Sequence, residues 1–129
     1  MAYNRFVVSK KDSDSQKRGG LFHAISDLVN SGALAEHEHV VADELGVWFT
    51  QNLPVPRRFA KSRAPRAKNV AISWFKDSAV EHIRKMHEVV QILAAHGIPV
   101  DVITTDRPGY VVYEDAHQIT AEPFRDSGA

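Results

Sequence analysis

Two prolines placed two residues apart, Pro54 and Pro56, constrain this chain more than any other feature. Proline has no N–H to donate and fixes its own φ. It also pushes the residue before it into extended backbone, so no helix runs through the pair. Pro65 extends the same restriction. Residues 54–68 therefore read as a long connection between a β-α-α half and a β-α-β-β-β half. Connections of that length in a compact domain are usually functional or mobile.

On the N-terminal side, Arg5 to Ser9 is rich in β-branched and aromatic residues and predicts a strand. Lys10 to Gly20, polar and closing on Gly19-Gly20, reads as a loop. Leu21, Ile25, Leu28 and Val29 recur at helical spacing, and Ser31-Gly32 ends that helix. From Ala35 to Leu53, Leu34, Val41, Leu45, Trp48 and Phe49 share one helical face. Gly46 leaves two readings for 46–50, continued helix or a stop followed by a strand; the aromatic pair continues the stripe of Val41 and Leu45 and favours one helix to Asn52.

Beyond the connection, Val70 to Phe75 predicts a buried strand. A helix over 78–96 follows, with Ser78 and Glu81 spaced as a capping box. Its stripe is Ala79, Ile83, Met86, Val90 and Leu93, its favourable charge pairs are Glu81–Lys85 and Arg84–Glu88, and Gly97 stops it. Strands over Pro99–Thr105, Tyr110–Glu114 and Gln118–Ala121, separated by turns at 106–109 and 115–117, suggest a three-strand meander. Pro108-Gly109 suits the centre of a type II turn. The strand–helix–strand unit ahead of the meander implies a right-handed parallel crossover. The expected fold is one α+β domain over 1–129, with helices packed on a mostly antiparallel sheet in the order β-α-α-β-α-β-β-β.

Composition narrows the functional classes. The 129 residues, 43% hydrophobic and 25% charged, are enough for one domain with its own core. No apolar run reaches the length of a membrane span, and no signal peptide precedes the first strand, so a cytoplasmic protein without membrane contact is expected. There is no cysteine, which removes disulfides, thiolate chemistry and cysteine-based metal sites. Neither a metal nor a cofactor is expected. The seven histidines match no metal template: H-E-x-x-H is absent, the ligands of Glu36-His37-Glu38-His39 diverge on a helix, His39 and Asp43 make the one pair with usable spacing, and His82 and His87 fall on opposite flanks of their stripe.

The zero net charge hides an asymmetry. Arg57, Arg58, Lys61, Arg63, Arg66, Lys68 and Lys76 lie within twenty residues that hold no acid, interleaved with Phe59, Trp74 and Phe75. Arginine forks match phosphate and carboxylate, and aromatic faces can stack on bases. Arg57, Arg58, Lys61, Arg63, Arg66 and Lys68 are thus the candidate anion-binding residues, although Trp74 and Phe75 also suit a core strand. Lys17-Arg18-Gly19-Gly20, just before a helix start, is a second candidate anion site, but neither nucleotide-binding glycine pattern is present.

The C-terminal hairpin gathers Tyr113, Glu114, Asp115 and His117, with Arg107 and Asp101 as neighbours expected from the meander. These groups could carry acid–base chemistry. They resemble a split-carboxylate nuclease only loosely, since Ala116 stands where such sites place a lysine. No serine has a nucleophile context. Three expectations follow. The leading one is a non-catalytic interaction protein whose basic segment contacts nucleic acid or an acidic protein surface. The second is a small hydrolase or transferase using Glu114, Asp115 and His117. The third is a homodimeric assembly protein, suggested by Ile92 on the polar side of the 78–96 helix.

Overall fold

Tyr3–Lys11 forms β1, the strand on which the rest of the sheet is assembled in the computed structural model, which describes residues 1–11, 18–55 and 71–124. Arg18–Gly20 forms β2, Leu21–Asn30 α1, Glu36–Asn52 α2, Ile72–Lys76 β3, Val80–Ala95 α3, Asp101–Thr105 β4, Tyr110–Glu114 β5 and Gln118–Glu122 β6. The fold is α+β; among the described residues, three helices pack on a six-stranded sheet whose pairings are all antiparallel. Among the described residues, no helix is long and apolar enough to cross a membrane.

β1 begins two residues earlier than its apolar run and continues to Lys11, and the expected loop yields a further short strand, β2. One edge of β1 carries β4 in continuous register from Tyr3↔Thr105 to Val7↔Asp101. Its other edge is divided: β3 pairs at Tyr3↔Lys76 and Asn4↔Phe75, and β2 pairs at Val7↔Gly20 and Lys11↔Arg18. Beyond β3 come β6 and then β5.

This topology corrects the expected meander. β5 and β6 form the predicted hairpin, but β4 leaves it to pair with β1. Hairpin turns favour neighbours in sequence, whereas β1 offers a long edge that Asp101–Thr105 completes. Because β1 is antiparallel to both β3 and β4, those two strands run parallel, with β1 between them. The β3-α3-β4 unit is therefore a parallel crossover that steps over one strand.

Alternation along the strands builds two cores. Phe6, Val8 and Phe75 face the helices and pack with Leu21, Leu45, Phe49, Met86 and Leu93. Their neighbours point the other way: Trp74, Ile72, Ile119 and Ala121 form the second core, with Tyr3, Ile103 and Val111 against it. The sheet is curled. Trp74 and Phe75 are thus both core residues, one on each face.

The helices follow their stripes, α2 as expected and α3 with local corrections. α2 runs unbroken through Gly46, and Glu38 reaches back to the Ala35 N–H at 2.8 Å. α3 begins at Val80 with Ala79 as N-cap, so the Ser78 capping box is not made; Glu81 pairs with Arg84 and Lys85 with Glu88, three residues apart. The buried positions of α3 are His82, Met86, Val89, Ile92 and Leu93, with Ile83 and Val90 half-buried beside them. Ile92 is a core residue, which removes the observation that suggested a dimer face. The end of α3 is as predicted: Gly97 has φ 76°, and the Ile98 and Gly97 N–H groups return to Leu93 O and Ala94 O, a Schellman motif.

Candidate functional site

The six basic candidates, Arg57, Arg58, Lys61, Arg63, Arg66 and Lys68, lie outside the described residues, as does Lys17. The hairpin candidates lie within them. β5 and β6 are joined by a tight tip in which Asp115 accepts four hydrogen bonds. Its Oδ1 takes the backbone N–H groups of His117 (2.8 Å) and Gln118 (3.0 Å). Its Oδ2 takes the Tyr113 hydroxyl (2.9 Å) and the Gln118 side-chain amide (3.0 Å). An aspartate in this place closes the turn with its own side chain.

The electrostatics follow from these contacts. Burial pushes the Asp115 carboxyl up, but donation from His117, Gln118 and Tyr113 outweighs it, and the net direction is below the ordinary aspartate value. The Tyr113 hydroxyl moves up, first because it donates to Asp115 and then through burial and the adjacent charge. Glu114 is exposed and meets Lys76 Nζ at 2.6 Å. Arg107 precedes β5, at the far end from the tip, with its guanidinium 5.3 Å from the Phe124 ring centre. Asp101 stands on β4 opposite Val7. Asp115, Tyr113 and His117 are brought together, then; Arg107 and Asp101 do not join them.

His117 and Gln118 tie this tip to the end of α2. The His117 ring stacks on His82, centroids 4.3 Å apart and planes 29° from parallel. His82 is buried against Trp48 and Phe75, and its Nε2–H donates to the Asn52 carbonyl at 2.8 Å. Gln118 donates to the Pro54 carbonyl at 2.7 Å. Asn52 O is the last carbonyl of α2, a group that helix geometry leaves without an internal donor, and Pro54 O lies two residues beyond the helix. His82 on α3 and Gln118 at the hairpin supply the donors.

Sequence reasoning did not single out Gln118, and placed His82 on a flank. The spacing of His82, Met86, Val89 and Leu93 was the signal that would have put this histidine on the buried face.

A cleft of about 670 Å³ opens where β1 and β3 part beyond Asn4 and Phe75. Its walls are the first turn of α1, residues of α2 from Ala42 to Thr50, and strand residues including Phe6, Phe75, Trp74 and Arg5. Arg5 and Trp74 are both buried, and the Trp74 Nε1–H has no hydrogen-bond partner among the described residues. Three or more histidines and carboxylates do not gather anywhere among the described residues. No protein-family model, curated protein or solved structure matches this chain.

Proposed function

We propose that this chain is a non-catalytic binding module that meets a polyanion through Arg57, Arg58, Lys61, Arg63, Arg66 and Lys68. The observation that carries the reading is how firmly the body holds the two ends of this basic stretch. At one end Pro54 and Asn52 are held by Gln118 and His82. At the other, Ile72 pairs with Ala121 in the β3–β6 ladder. Of the groups that would otherwise serve acid–base chemistry, Asp115 and His117 are engaged beside that hold and Glu114 pairs with Lys76. Asp115 has four donors on its two oxygens and stays ionised at neutral pH, so it is poorly suited to give or take a proton there.

Nucleic acid is the polyanion with the sharpest signature. Binding of a single-stranded oligonucleotide should weaken log-linearly with salt, as condensed counterions are released. Replacing Arg57, Arg58 and Arg63 together by alanine should flatten the slope by up to about three units. The thermal midpoint should hardly move if the stretch serves binding and not the fold. The matched control replaces Lys10, Lys11 and Lys17. Equal losses in both triple variants, or no salt dependence, would overturn the proposal.

A further inference from the structure

Gly46 has no evident task in the fold. It stands in the middle of α2, where glycine weakens a helix because its backbone gives up the most freedom on folding. Its backbone is helical and not in the left-handed region that calls for glycine. A Cβ there would meet nothing within 4 Å among the described residues, so no close neighbour demands its small size. What Gly46 does is line the cleft. Ala42, Leu45, Gly46, Phe49, Thr50 and Leu53 all line it and share one face of α2 at helical spacing. A side chain at 46 would therefore project into the open space, and glycine keeps that space clear.

The rest of the wall says what fits. Phe6 and Phe75 come from the sheet and Met86 and Val89 from α3, while Phe22 and Val55 also line the cleft and are 42% and 75% exposed. No aspartate or glutamate is among the described lining residues. The polar side chains are already engaged. Thr50 donates to Gly46 O at 2.8 Å, Ser73 shares a hydrogen bond with Thr120 at 3.0 Å, and Gln118 donates to the Pro54 carbonyl and to Asp115. Arg5 and His23 have interactions of their own, and the Trp74 indole belongs to the core on the other face of the sheet. A charged head would lose its water there and gain little in return. An apolar molecule loses nothing and covers exposed hydrocarbon. The volume, about 670 Å³, is that of small-molecule sites, and all three helices and the sheet contribute to the wall, so the occupant is compact and not an extended partner surface.

We infer that this cleft binds a small, neutral, largely apolar molecule, which lies against the Gly46 face of α2. The site is separate from the basic stretch proposed above and does not depend on it.

Nile red, a neutral aromatic dye, is the first probe, titrated into the intact chain and then displaced by decanol, decanoate or decylamine. Decanol should displace it at concentrations at least about ten-fold lower than either charged analogue. Methyl-labelled methionine reports where the dye sits, because the chain has two methionines, Met1 and Met86, and Met86 alone lines the cleft. The Met86 methyl resonance, assigned by its loss in Met86→Leu, should shift as the dye is added, and that of Met1 should not.

Gly46→Leu supplies the decisive variant. Leucine is a far better helix former, so the melting temperature should hold or rise while Nile red affinity falls by at least about ten-fold, since the side chain takes the ligand's place. The control is Val47→Leu, at an exposed neighbour that does not line the cleft, which should bind the dye like wild type. Arg57, Arg58 and Arg63 replaced by alanine should also leave the affinity unchanged. Full affinity in folded Gly46→Leu, a Met86 methyl unmoved by saturating dye, or equal displacement by the charged analogues would each overturn the inference. Two results would give the cleft to another occupant and overturn it as well: affinity at least about ten-fold higher in Phe59→Ser, which points to the chain's own basic stretch, or a dimer that the dye dissociates, which points to a second copy.

Discussion

Gly109 shows how a single residue is read correctly for an incomplete reason. Its place after Pro108 predicts positive φ, and φ is 141°. A turn alone would accept asparagine there. In the structure, however, a Cβ would lie 2.1 Å from the Glu122 carbonyl oxygen and 2.8 Å from its carbon, both backbone atoms of β6. The glycine is needed because β6 passes against it, a contact that no local pattern reveals. Gly109→Asn should therefore destabilise the fold nearly as much as Gly109→Val, each by at least about 2 kcal/mol. Denaturant midpoints decide: an asparagine variant close to wild type would return the position to simple turn chemistry.

Asp115 is the residue whose role changes most between sequence and structure. In sequence it is one carboxylate among several polar groups; in space it is the acceptor that closes the hairpin and orients Gln118. Its folded-state pKa is lowered, so its contribution to stability is present above the ordinary aspartate value of about 3.9 and is lost as pH falls through the lower folded value. Asp115→Asn should cost about 1–3 kcal/mol at pH 7, the usual scale for a hydrogen bond to a charged group. The gap from wild type should close at acid pH, because wild type alone loses this charge. A gap that stays constant from pH 7 down to pH 2 would show that the charge is not what matters.

At the scale of elements, α3 and the two halves of the hairpin were legible because their signals are local. The helix needs only apolar spacing and a glycine stop, and both are in the sequence over 79–97. Which face of α3 is buried was half legible: Met86 and Leu93 belong to any reading of the stripe, while His82 and Ile92 enter the core because Phe75, Trp48 and the helix-side core surround them. Leu93, wholly buried, should cost about 2–5 kcal/mol on truncation to alanine. Gly46 carries the opposite expectation. It sits inside α2, and a Cβ there meets nothing within 4 Å. Gly46→Ala should stabilise the chain by about 0.5–1 kcal/mol through the lower entropy of the unfolded state. A lower melting temperature would mean that the helix needs the glycine for packing.

The misreading of β4 belongs to the whole molecule. The Thr104 hydroxyl donates to Asn4 Oδ1 at 2.8 Å across one hundred residues of sequence, and no neighbouring turn announces such a pairing. It makes β1 the hub of the sheet, with β4 along one edge and β3 and β2 sharing the other. β5, by contrast, pairs only with β6 among the described strands. Opening β1 must break contacts with three strands and expose Phe6, Val7 and Val8, all buried; freeing β5 breaks one ladder. Hydrogen exchange reports this difference directly, because local opening costs less where fewer contacts cross. The protected amides of β1 should exchange only through global unfolding, with free energies matching denaturant unfolding. Those of β5 should exchange faster through partial opening of the hairpin. Equal protection in both strands, or faster exchange in β1, would mean that the sheet opens as one unit or from its centre, and that the long-range pairing is not its strongest part.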